Sequence, residues 1–127
     1  MWICTNNSFL SVVDKATNPD CLLVRARRKE HIEAVFPGAK IVETVRRDYL
    51  YRAEILRPAV ASAIAEAVLS IDYDNFKNSV DDDDLHDAYS QVWSVMGRLQ
   101  DGGPYGWCQS ESLGKGDDDT DDLWGPV

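Results

Sequence analysis

Between Tyr49 and Ile71 the apolar period changes from two to the helical value at a single proline, so the chain must pass directly from a strand into a helix. Tyr49, Tyr51, Ala53 and Ile55 alternate with Leu50, Arg52 and Glu54, the pattern of a strand with one buried face. Pro58 suits the first position of a helix, where its missing N–H costs nothing. Val60, Ile64, Val68 and Ile71 then recur at spacings of four, four and three, and predict one inward face along a helix over 58–71. Alanines at 59, 61, 63, 65 and 67 raise helix propensity and allow close packing.

On the N-terminal side the apolar rhythm is that of strands. Trp2 to Thr5 and Phe9 to Val13 flank Asn6-Asn7, a pair that tolerates the positive φ of a tight turn, so a hairpin is expected. The turn-forming stretch 16–20 leads to Leu22, Val24 and Ala26, which alternate with Leu23, Arg25 and Arg27. A short helix over 30–36 places Ile32, Val35 and Phe36 on one side, leaves His31 among Lys29, Glu30 and Glu33 on a solvated face, and stops at Pro37-Gly38. A second antiparallel pair, 40–45 with 48–56, crosses Arg46-Arg47.

From Phe9 onward the order is therefore ββαββα. A ferredoxin-like sandwich runs βαββαβ with its last strand beside its first, and moving that strand to the front gives this order. The expected fold class is α+β: an antiparallel sheet of four to five strands with helices 30–36 and 58–71 on one face, in a permuted ferredoxin-like arrangement. Residues 1–5 add an edge strand.

After Ile71 the composition turns acidic. The net charge of −9 hides a split: residues 1–71 hold ten Lys/Arg against eight Asp/Glu, whereas 72–127 hold three against fourteen. Such a half is repelled by nucleic-acid phosphates and attracted to basic surfaces, so a protein partner with a basic surface is expected and nucleic acid is disfavoured. Asp81, Asp82, Asp83 and Asp84 precede a helix to about Gln100, whose Leu85, Tyr89, Val92, Met96 and Leu99 form a heptad-like seam. That seam is expected to pack on the 1–100 domain or to join two subunits as a homodimer. Residues 101–127 read as a mobile acidic tail in which Asp117, Asp118, Asp119, Asp121 and Asp122 steer a partner while Leu123 and Trp124 anchor it.

The opening MWI…FLSVVDK, LLVRAR at 22–27, DYLYRAEI at 48–55, and IDYDNFKNSV…HDAYSQVWSVM at 71–96 resemble a group of small uncharacterised proteins from bacterial and phage genomes. That resemblance spans the part before the acidic tail and implies no activity, cofactor or catalytic residue.

The residues offer three kinds of chemistry. Asp82, Asp83 and His86 share helical spacing and could hold a metal for hydrolysis, although aspartates opening a helix are what its positive end favours, with Asp81 or Asp82 as the cap. The basic set Arg25, Arg27, Arg28, Lys29, Arg46, Arg47 and Arg52, with Tyr49 and Tyr51 as strand aromatics, could take RNA on a sheet face, against local pairing with Glu43 and Glu54. The acidic clusters could imitate nucleic-acid phosphates, as small phage anti-CRISPR and anti-restriction proteins do. Nucleophile elbows, phosphate loops, HExxH and spaced Cys/His sets are all missing from the sequence. The leading expectation is a non-enzymatic, acidic, protein-binding module of phage or mobile-element type that inhibits a nucleic-acid-binding or defence protein, with no cofactor and no metal. No apolar run approaches the length of a membrane span and the N-terminus lacks a secretory pattern, so a cytoplasmic location is expected.

Overall fold

The computed structural model describes residues 1–100; the expectations for the 101–127 tail, including Asp117 to Trp124, lie outside the described residues. The backbone divides into two compact units, Met1–Asp72 and a second that begins at Tyr73.

The first unit is a five-stranded antiparallel sheet with two helices. Its strands are β1 (Trp2–Cys4), β2 (Phe9–Val13), β3 (Cys21–Ala26), β4 (Val42–Glu43) and β5 (Tyr51–Leu56), in the spatial order β1-β2-β3-β5-β4. Its helices are α1 (Lys29–Val35) and α2 (Arg57–Leu69). Set β1 aside as the added edge, and β2-β3-β5-β4 is the order required of the permuted ferredoxin-like sandwich.

The core lies between the helices and one face of the sheet. Leu10, Val12, Val24, Ala26 and Ala53 meet Ile32 and Phe36 from the α1 segment and Val60 from α2. Strand alternation accounts for this: Val12 stands opposite Val24, and Val24 opposite Ala53, so the buried positions of three strands fall in register. Tyr51, Ala53 and Ile55 point to this core face as the period-two pattern requires.

Three local expectations change. Helix α2 contributes only its first half to the core, through Val60, Ala63 and Ile64; Val68 and Ile71 are exposed, so the inward face does not extend through 71. The helix ends where Ser70 turns its N–H and hydroxyl onto the Glu66 carbonyl. In α1, His31 is not on a solvated face but 7% exposed, and its Nδ1 accepts the Phe9 N–H at 3.2 Å. The third change is at the β4–β5 hairpin, which is less regular than two long strands. Thr44 gathers the chain by donating its N–H to the Leu50 carbonyl (2.6 Å) and its hydroxyl to the Tyr49 and Leu50 carbonyls, while Arg46 adopts a left-handed φ of 70°.

In the second unit a 3-10 turn at Lys77–Ser79 precedes α3 (Asp83–Gly97). Phe76 packs at 5.9 Å from Tyr73 and 5.3 Å from Tyr89, and Val80, Leu85 and Tyr89 are buried. The expected seam is buried only in this first part. Val92 (48% exposed), Met96 (55%) and Leu99 stand open, so the apolar spacing continues past the packing that uses it.

Candidate functional site

The sheet face opposite α1 and α2 carries most of the protein's unusual side chains. Pairing registers place Trp2 opposite Ser11, Ser11 opposite Arg25, Arg25 opposite Arg52, and Arg52 opposite Val42, one row running across all five strands. Two arginines thus face each other directly on neighbouring strands, an arrangement in which like charges destabilise a sheet.

Arg25 is held on three sides. Its Nη2 donates to Ser11 Oγ at 2.7 Å, and its guanidinium lies 4.7 Å from the centroid of the Tyr49 ring, which Arg27 also covers at 4.5 Å. Cation–π attraction of this kind is worth about 0.5–1 kcal/mol at exposed positions and more when water is excluded. Tyr49 is 3% exposed beneath the two groups. The Nε of Arg25 is buried and has no acceptor among the described residues.

Arg52 is fixed by Nε donating to Thr44 Oγ1 at 3.1 Å, so the irregular hairpin serves to orient this side chain. Burial and then the Arg25 and Arg47 charges depress its pKa below the ordinary arginine value, with Asp48 acting in the opposite direction. Of the two acids expected to pair with this face, Glu43 forms no ion pair among the described residues and Glu54 is turned elsewhere. Glu54 is committed to Thr17, accepting its N–H at 2.9 Å and its hydroxyl at 3.0 Å, and these bonds hold the Glu54 carboxyl below its ordinary range. Asp48 is engaged by Arg27 at 3.4 Å, with Arg27 Nη1 also donating to the Asp48 carbonyl. Among the described residues neither Arg25 nor Arg52 takes part in an ion pair.

The other expected site residues are distributed as follows. Arg46 and Arg47 are exposed on the hairpin next to this face. Arg28 sits apart as the residue preceding α1, where its carbonyl accepts the His31 N–H. Neither strand tyrosine is presented for base stacking, because Tyr51 faces the core and Tyr49 is covered by arginines. The exposed aromatic is instead Trp2, 70% accessible and braced edge-to-face by Phe9 at 5.7 Å. Strand alternation alone could not find it, since only the register of β1 on β2 puts Trp2 in the arginine row.

Asp82 is the helix cap: its Oδ1 accepts the N–H of Asp84 at 3.0 Å and more weakly that of Leu85 at 3.5 Å. Asp83 and Asp84 occupy the first turn, where the helix dipole favours them. The metal trio proposed from spacing does not assemble, since no group of three or more potential ligands, Asp82, Asp83 and His86 included, converges among the described residues. Among those residues no helix is long and apolar enough to cross a membrane. No family model, curated protein or solved structure matches this chain.

Proposed function

We propose that this protein is a non-enzymatic binding module that captures an anionic ligand on the sheet face opposite α1 and α2, in a cytoplasmic setting. The observation that carries this reading is the direct opposition of Arg25 and Arg52, with Arg47 nearby and no ion pair on either member among the described residues. Two unit charges about 5 Å apart repel by roughly 3 kcal/mol at an effective dielectric of 20 and by under about 1 kcal/mol in bulk water. An anion between them replaces that repulsion with two charge-assisted contacts. Calorimetric titration with tripolyphosphate checks this: saturable, salt-sensitive binding is expected for the native chain and loss of it for Arg25→Met with Arg52→Met. Equal heats for both proteins, or no binding, reject the reading.

A second reading has its own observation. On α3 and just after it, Val92, Val95, Met96 and Leu99 form an exposed apolar set, and the same segment opens with exposed Asp81, Asp83 and Asp84. This combination suits a protein partner with an apolar centre and basic rim, the kind of surface a phage or mobile-element inhibitor of a nucleic-acid-binding or defence protein would occupy. A Leu/Lys amphipathic peptide is the probe; salt-sensitive binding that Met96→Asp removes is expected. Light scattering that instead shows a dimer dissociated by Met96→Asp assigns this set to a second copy of the chain and removes this reading.

A further inference from the structure

The anion reading leaves open what carries the negative charge, and the remaining member of the row bears on that. We infer that the ligand is a single-stranded polynucleotide, with one base stacked on Trp2 and neighbouring phosphates held by Arg25 and Arg52. This rests on the anion-binding reading of the same face and narrows it.

Adjacent strands lie about 4.8 Å apart, so Trp2 stands roughly 10 Å from Arg25 and 14 Å from Arg52 along the row. That is a distance over which one strand presents both a base and its neighbouring phosphates. Between them Ser11 is 1% exposed and accepts a hydrogen bond from the Arg25 guanidinium, which ties the middle of the row to its cationic end. Trp2 is not on a fraying end: the Met1 N–H group donates to the Val12 carbonyl at 2.8 Å, and the Val12 N–H donates to the Met1 carbonyl at 2.8 Å. A large indole is thus fixed, 70% accessible, on the same face as two arginines that form no ion pair among the described residues.

Phosphate alone has no use for an exposed indole, whereas every base has a π-face that can stack on it without regard to sequence. A duplex hides those faces, so the match is to an unpaired strand. The acidic charge that disfavours nucleic acid is concentrated after residue 71, while residues 1–71 carry a small excess of cations. Binding is then local and modest in its ionic part: two or three neutralised phosphates give a slope of log Kobs against log salt between about −1.4 and −2.1 for a single strand.

The test uses the full chain with labelled oligouridylate and oligodeoxythymidylate, tripolyphosphate and an oligoglutamate peptide as separate probes. Native protein is expected to bind one or both oligonucleotides. Trp2→Ala is expected to weaken that binding about 5- to 150-fold, Trp2→Phe to restore part of it, and both to leave tripolyphosphate binding unchanged. Arg25→Met with Arg52→Met is expected to abolish every interaction, with circular dichroism verifying the fold of each variant. Uridylate bound over thymidylate identifies RNA, and the reverse identifies DNA, within the inference. If tripolyphosphate binds but the oligonucleotides do not, or Trp2→Ala binds them as tightly as native protein, the polynucleotide inference is overturned and the anion reading stands. Oligoglutamate bound more tightly than either oligonucleotide also overturns it, in favour of an acidic peptide. No binding of any probe rejects both.

Discussion

The two faces of one sheet obey different rules. On the helix side, Leu10, Val12, Val24, Ala26 and Ala53 are apolar, buried and in register, and every neighbour supports the others. On the opposite side the same strands bring together Trp2, Ser11, Arg25 and Arg52, a row with an exposed indole at one end and two repelling cations near the other. The first face is what a chain needs in order to fold. The second contains features that folding alone does not require, and places where local stability is given up are where ligands are commonly met.

The largest effect expected from testing this contrast is on the core side. Leu10→Ala deletes a fully buried side chain between β2 and the helices and should cost about 2–5 kcal/mol in a denaturant titration. An equally drastic change on the other face, Trp2→Ala, should cost much less, because most of that ring is already in water.

At the margin between α1 and β2, His31→Ala removes the acceptor of the Phe9 N–H and should cost about 1–3 kcal/mol. His31→Asn, whose Oδ1 can accept the same N–H, should recover part of that loss by the same measurement.

A smaller effect with the opposite sign is expected from the arginine row. Arg52→Met keeps the apolar stem and removes one of two opposed charges, so it should raise stability by up to about 1 kcal/mol at low ionic strength, and by less in high salt. A variant that is more stable yet binds tripolyphosphate less well would separate the two faces by the sign of the response.

The smallest expected effect is the pH response of Glu54. Hydrogen bonds from Thr17 lower its pKa in the folded state, so its stabilisation is fully present above the unfolded glutamate value and disappears as pH falls through the lower folded value. Thr17→Val removes the hydroxyl share of those bonds and should flatten the acid limb of the stability profile by lowering stability slightly at neutral pH, while leaving it nearly unchanged below the folded value.

Much of the helix-side face is legible in the sequence because its signals are local. Alternation at Tyr51, Ala53 and Ile55, the Asn6-Asn7 turn and Pro58 at the strand-to-helix junction each report on a few consecutive residues, and together they restrict the topology to the permuted sandwich observed. The opposite face is legible only in part. Alternation puts Arg25 and Arg52 on the outer side, but that they stand opposite each other, and that Trp2 shares their row, follows from registers set by hairpins and by the β3–β5 pairing across 24 intervening residues. Tyr49 continues the alternation of Tyr51, Ala53 and Ile55 in the sequence, but it precedes β5 and is buried beneath the Arg25 and Arg27 guanidinium groups, a contact that alternation does not report. The buried setting of His31 is likewise a long-range contact, with no mark in its polar neighbours Lys29, Glu30 and Glu33. In α3 the apolar spacing is real, but spacing does not say where packing stops, and Val92 and Met96 lie beyond that point.

The most direct measurement is a double-variant stability cycle on Arg25→Met and Arg52→Met, carried out at low salt with and without tripolyphosphate. Without anion, the expected coupling between the native arginines is unfavourable by a few tenths to about 1 kcal/mol, and with saturating anion it becomes favourable, because the two charges then share a counter-charge. A coupling that is zero or favourable without anion, or that does not respond to tripolyphosphate, would contradict the claim that this row is an anion site held at a cost to the fold.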